Sequence, residues 1–261
     1  MRLILVPAVA ALAGVLTSGG FALLGQDVAN VDSDEVVAHL YDLGAGYGAK
    51  LPSLSCHESI SILDLKRGEV KRATRLEGMI RVVRNGESRS PFTETHTFLT
   101  KDGVAAPEKF NLSYWVNGGF ANALGLSHPE ARGCNDFRVT RRGGDGGIRV
   151  DVAERADAQS QPVCQQFSLP GYRKTIIMDD AGHVLHVDRS VPADVARRYK
   201  EVSFAAMDYA PVKLGDETLW LPSRMESHDP KDDHRLEVKY SECQRFTGSI
   251  KILEGVTPVT E

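Results

Sequence analysis

Strict alternation of apolar and polar residues is the feature that most constrains this chain. From Ser53 to Ile62, Leu54, Cys56, Ile60 and Ile62 share one side of an extended backbone, and Ser53, Ser55, His57, Ser59 and Ser61 share the other. Successive side chains of a strand point to opposite faces, so this period of two predicts a strand with one dry and one wet face. Leu76, Gly78, Ile80 and Val82 repeat the pattern against Arg75, Glu77 and Arg81. Ile148, Val150 and Val152 do so against Arg149 and Asp151. Further strands are expected at 92–99, 137–140, 175–178, 184–188, 202–209, 217–221 and 234–246, where Leu236, Val238 and Tyr240 share a face. Asn85-Gly86, Asp179-Asp180-Ala181-Gly182, Gly215-Asp216 and Asp229-Pro230 supply turn residues between them. Connections this short imply an antiparallel sheet. A sheet with one apolar face must bury that face.

Two segments break the strand rhythm and are candidates to cover it. Asp32 and Glu35 have the spacing of a capping box, and Val36, Val37, Leu40 and Tyr41 follow at helical spacing. Gly44, Gly46 and Gly48 are expected to end this helix. Between Pro107 and Leu126, Phe110, Tyr114, Trp115, Phe120, Leu124 and Leu126 give mixed helical spacing, interrupted by Gly118-Gly119. One or two short helices capping the sheet are expected there. A third short helix is expected at 192–199.

The N-terminus reads as a secretory signal. Arg2 supplies a charge, Leu3 to Leu16 are apolar apart from Pro7 and small residues, and cleavage after Ala22 fits a small-x-small rule with Gly20. A membrane anchor is the alternative, but Pro7, Gly14, Thr17 and the glycines interrupt a run that would need about 20 apolar residues. Residues 1–22 are therefore expected to be removed, leaving one β-rich domain over 27–261. No membrane span is expected afterwards. Hydrophobic residues at 42% and charged residues at 25% fit a globular chain, and a formal charge of −4 argues against a nucleic-acid partner.

Four cysteines remain after such processing: Cys56, Cys134, Cys164 and Cys243. None stands in a CxxC pair, and in an oxidising compartment an even count reads as disulfides, with three connectivities open. The preferred pairing is Cys134–Cys164, closing a middle loop, with Cys56–Cys243 tying the first strand to the last. The second bond conflicts with simple alternation. Cys56 lies on an apolar face, and Cys243 falls in phase with Arg235, Glu237 and Lys239. A bulge near Ser241-Glu242 would switch the phase and remove the conflict.

No catalytic constellation emerges. His183 and His186 are three apart on a strand, which sends them to opposite faces. The cluster His228, Asp229, Asp232, Asp233 and His234 has metal-ligating residue types without a motif's spacing, and reads as a solvated hairpin tip. Residues 143–147 form a glycine-rich loop ahead of a strand, unlike a phosphate loop. His57 and Glu58 point apart. Residues 125–129 are not a nucleophile elbow, since Pro129 takes the place of the last glycine. No metal, cofactor or enzymatic activity is expected. An envelope hydrolase would need convergence of residues distant in the sequence.

The order helix, long strands, cover and more strands resembles the LolA/LolB-like lipoprotein-carrier superfamily, which includes the RseB sensor domain. The stretches that carry this resemblance are 51–56, 176–185, 208–215, 219–222 and 240–246, and similar ones occur in secreted acidobacterial proteins. The resemblance implies an α+β fold, a curved antiparallel sheet or incomplete β-barrel with an N-terminal helix and a helical cover. It implies a hydrophobic cavity that binds acyl chains or lipoprotein anchors without chemistry. The residues expected to line such a cavity are Leu76, Ile80, Val82, Trp115, Phe120, Val150 and Leu236. The expected role is a periplasmic or secreted protein that binds a lipid, acyl chain or acylated protein. The alternative is an envelope interaction or sensor module that recruits a protein partner and no small ligand.

Overall fold

The computed structural model describes residues 33–85, 92–106, 119–121, 129–141, 147–165, 169–229 and 233–246. Its frame is one antiparallel sheet. An N-terminal helix α1 (Ser33–Lys50) precedes β1 (Leu54–Lys66), β2 (Glu69–Arg84), β3 (Phe92–Lys101) and the short β4 (Val104–Ala105). After a 3-10 turn come β5 (Asn135–Arg141) and β6 (Ile148–Glu154). The one-turn helix α2 (Pro162–Gln165) leads to β7 (Arg173–Met178) and β8 (Val184–Ser190). Helix α3 (Ala193–Tyr199) leads to β9 (Phe204–Leu214), β10 (Glu217–Asp229) and β11 (His234–Arg245). The eleven strands run in the order β4-β3-β2-β1-β11-β10-β9-β8-β7-β6-β5. Consecutive strands are therefore neighbours in space except β4 and β5, which lie at opposite edges, and the one non-consecutive pair, β1 with β11, forms a seam. The sheet is curved and not fully closed, with β4 and β5 as its edges.

Alternation decides which side is buried. In β1, Leu54, Cys56, Glu58 and Ile60 are buried and their neighbours are half-buried. In β2, Thr74, Leu76, Gly78, Ile80 and Val82 are buried. The apolar side chains among these form one continuous core with Val150, Val152, Ile176, Met178, Leu236 and Val238 from across the sheet. The apolar stripe of α1 lies against that core through Val36 and Leu40.

The helix does not stop at its glycines. It continues through Gly44, Gly46 and Gly48 to Lys50, which corrects the expectation from the sequence. Two physical causes oppose the glycine penalty of about 1 kcal/mol each. Leu43, Tyr47 and Leu51 extend the stripe of Val36 and Leu40 at steps of three and four, so tertiary packing rewards each further turn. The guanidinium of Arg84, at the end of β2, donates to the carbonyls of Gly48 and Ala49 at 2.9 Å and of Leu51 at 2.5 Å. A cation on the last carbonyls satisfies them and complements the negative end of the helix.

Both disulfides take the preferred pairing, Cys56–Cys243 and Cys134–Cys164. The phase conflict at Cys243 is resolved by a bulge. Ser55 faces Gln244 but His57 faces Ser241, so β11 spends one extra residue opposite Cys56. Glu242 takes that place with φ 51°, a left-handed conformation. Of the expected cover, only residues 119–121 fall among those described, and they form a turn. Phe110, Tyr114 and Trp115 lie outside them, as do the proposed signal residues 1–22 and Gly86 of the first hairpin turn. No helix among the described residues is long and apolar enough to cross a membrane.

Candidate functional site

Helix α1 crosses the concave side of the sheet and leaves a groove between itself and the rim of β8–β10. The groove has a volume of about 380 Å³. Leu43 and Tyr47 of α1, with Leu51 just beyond its end, form one wall, and Val184, Tyr209, Leu219, Trp220 and Leu221 form the other. His39, Asp42, Gly46 and Lys50 follow one edge of the helix along it, with His183 at the opposite rim. These four helix positions lie eleven residue steps from first to last, which at 1.5 Å per step is about 16 Å of groove.

The close seating of the helix depends on the turn between β7 and β8. Gly182 has φ +86°, and a Cβ there would meet the His39 ring at 2.8 Å. Only a glycine combines that backbone conformation with so near a side chain. The same turn fixes the rim. Asp179 accepts from the backbone N–H of His183 at 2.8 Å and lies 2.9 Å from its Nδ1. Burial alone would raise the Asp179 carboxyl, but these bonds from His183 outweigh it and hold the group below the usual carboxylate range. The clamped imidazole stacks on Trp220 at 4.6 Å between ring centroids. A planar apolar face is thus locked at the groove mouth.

The inner end of the groove meets a buried polar cluster. Tyr47 donates to the carbonyl of Phe120 at 3.0 Å. Phe120 is fully buried, edge-on to Tyr240 at 5.1 Å. The backbone N–H of Ala121 donates to the Glu94 carboxylate. Deeper still, Glu58 is 0% exposed, and both of its oxygens lie 2.9–3.0 Å from Nδ1 of His96. Gly78 stands opposite Glu58 on β2, where a Cβ would meet the Thr97 carbonyl oxygen of β3 at 2.5 Å. Burial pushes the phenols of Tyr47, Tyr209 and Tyr240 well above their ordinary range, so they remain protonated donors. The hydroxyls of Tyr209 and Tyr240 find no partner among the described residues.

Leu76, Ile80, Val82, Phe120, Val150 and Leu236 all belong to the packed core behind α1, and none lines the groove. Trp115 lies outside the described residues. The sequence reading missed Glu58 and His96, although the signal was present. Glu58 is in phase with Cys56 and Ile60, and His96 is in phase with Phe92 and Phe98. It also missed Tyr47, because the helix was expected to end before it. Of the other candidates, His186 pairs with Asp208 at 2.6 Å and His57 with Glu77 at 3.4 Å. His228 pairs with Asp233 at 3.3 Å, and Asp232 lies outside the described residues. Among the described residues no group of three potential ligands could hold a metal ion.

These features define a class by architecture: an open antiparallel sheet wrapped around a helix, with an apolar groove at its rim. No protein-family model and no curated protein matches the chain. Among solved structures it is similar to a DUF1329 family protein from Desulfovibrio piger, at 10% identity and a TM-score of 0.46, over 82% of this chain and 94% of that one. It is also similar to a LolA superfamily protein from Nitrosomonas europaea, at 10% identity and a TM-score of 0.37, over 86% of this chain and 98% of that one. At these values the likeness concerns the layout of the chain, and no residue's role is taken from it.

Proposed function

We propose that this protein is a non-catalytic binder of a lipid or acyl chain, working outside the cytoplasm after removal of residues 1–22, with 27–261 as one domain. The observation that carries the reading is the groove beside α1, apolar on both walls and polar along its outer edge. Burying a chain there gains about 0.8 kcal/mol per methylene, offset in part by the loss of freedom on binding. Binding on that scale is reversible, as a carrier requires. The two disulfides support an oxidising compartment. The proposal rests on this groove and not on the six core residues first expected to line a cavity.

Gly46 offers a clean test. It lines the groove, and a Cβ built on it meets nothing within 4 Å. Gly46→Leu therefore places a side chain in the groove while removing a helix glycine, a change worth about 1 kcal/mol in favour of folding. A dansyl-labelled fatty acid should bind the wild-type protein, and Gly46→Leu should abolish binding with an equal or higher Tm. Equal binding by the variant, or none by the wild type, defeats the proposal.

A second reading, recruitment of a protein partner, draws on one observation. Leu99 and Val104 stand 56% and 67% exposed on the edge hairpin of β3 and β4. Capture of an envelope protein that is lost in Leu99→Ser/Val104→Ser but kept in Gly46→Leu would favour it.

A further inference from the structure

The proposed function leaves the kind of lipid open, and the dimensions and charge of the groove narrow it. A methylene takes roughly the volume one water occupies in the liquid, ~30 Å³, so a groove of 380 Å³ holds about a dozen carbons. Among the described residues, the region behind α1 offers no room for a second chain. There Leu76, Ile80, Val82 and Val150 are 0% exposed within one packed core, and Phe120 fills the gap to Tyr240. Native interiors have no slack on that scale. The site is therefore sized for one chain, and two or three chains on one head would leave most of their surface in water.

The charges favour one sign of head group. At the C-terminal end of α1, Lys50 lines the groove and makes no ion pair among the described residues. The Arg84 guanidinium sits at the same end, on the carbonyls of Gly48, Ala49 and Leu51, and Leu51 is itself a wall residue. Asp42 stands two helical turns away, and Asp179 at the far rim is held by His183. An anion is attracted to the Lys50 end, where no acid lines the groove among the described residues.

Resting on the reading of the groove as a lipid site, we infer that its occupant is a single-chain amphiphile of about twelve carbons with a carboxylate head, seated with that head at Lys50. The chain lies along Leu43, Tyr47 and Leu219, and the carboxylate exchanges water for the Lys50 ammonium at the mouth. No bond is made or broken.

Calorimetric titration of the full protein with saturated fatty acids from eight to eighteen carbons tests the length. Affinity should climb with each methylene to about twelve and then level off. A climb that continues unchanged to eighteen overturns the single-chain limit, as does uptake of a diacyl phosphatidylglycerol from vesicles that matches uptake of dodecanoate. Dodecanol tests the head. Dodecanoate should bind at least tenfold tighter, and Lys50→Gln should reduce that ratio below threefold. Equal affinity for acid and alcohol overturns the assignment of the head. If no chain of any length binds, the lipid reading itself fails, which is a different outcome from a wrong length or head.

Discussion

The buried pair Glu58–His96 illustrates how one inward polar residue depends on its partner. Glu58 is inaccessible to water, and its carboxylate has His96 Nδ1 within hydrogen-bond reach of both oxygens. Removing one member of such a pair leaves an uncompensated buried charge and costs about 3–5 kcal/mol, whereas replacing both with apolar groups is often neutral. His96→Leu should therefore lower the urea midpoint far more than Glu58→Leu/His96→Leu does, and equal losses would show that the pair is not coupled. Lys174 on β7 gives a second residue-scale test. It is 5% exposed, and burial first, then the charge of Arg189, lowers its pKa from 10.5 to about 7. Between those values the unfolded chain binds the extra proton, so stability rises with pH across the window, and the cost is present in full below pH 7. Lys174→Met should raise Tm at pH 6, by an amount that shrinks as the pH approaches 10. Both positions were legible in principle. Lys174 is in phase with Ile176 and Met178, but the strand was expected to begin one residue after it. Residue-level burial follows strand boundaries, and boundaries are the least certain feature of an alternating pattern.

At the scale of elements, the strands announced themselves because alternation and turn residues act locally. The returns at Asp179–Gly182 and Gly215-Asp216 fall between the strand pairs they were expected to join, while Pro230 lies outside the described residues. What alternation could not give was the true length of α1. Its glycines argue for a stop by propensity, and the groove exists because the stop does not occur. The missing information was tertiary: the core surface that receives Leu43 and Tyr47, and an arginine 34 residues beyond the end of the helix in sequence. The test follows from that cause. Arg84→Met keeps the aliphatic stem but removes the donors to three carbonyls and the charge 4.9 Å from the Phe92 ring. A partly exposed charge-assisted contact of this kind is worth about 1–2 kcal/mol. Arg84→Met should destabilise by that amount in thermal unfolding and speed amide exchange over residues 44–50, with exchange in β9 and β10 unchanged. Uniform acceleration across the sheet would mean that the contact secures the whole fold and not the last turns of the helix.

For the whole molecule, the decisive junction is the seam between β1 and β11. The strands from β5 to β11 form one meander and those from β1 to β4 another, and the seam joins them. The two partners are separated by most of the chain, so forming the seam carries the largest loop-closure entropy in the fold. The Cys56–Cys243 bond crosses it with a sequence separation of 187, against 30 for Cys134–Cys164. The loop-entropy relation assigns about 5 kcal/mol to the first and about 3.5 to the second. Part of this was readable from the cysteines: an even count with no CxxC pair calls for pairing in an oxidising compartment, and a bond from first strand to last demands a change of phase at residues 241–242. The φ of Glu242 supplies that change at the place where parity requires it. The cost of cutting each bond can then be compared within one protein. Cys56→Ala/Cys243→Ala should lower the unfolding midpoint more than Cys134→Ala/Cys164→Ala, with similar denaturant slopes. Its folding rate should fall more than its unfolding rate rises if the seam forms early, because the crosslink shortens the search for the longest-range pairing. A smaller loss at the seam than at the middle loop would mean that β1 and β11 stay associated without the bond, and that the two halves of the sheet are joined by packing against α1 and the core more than by the disulfide.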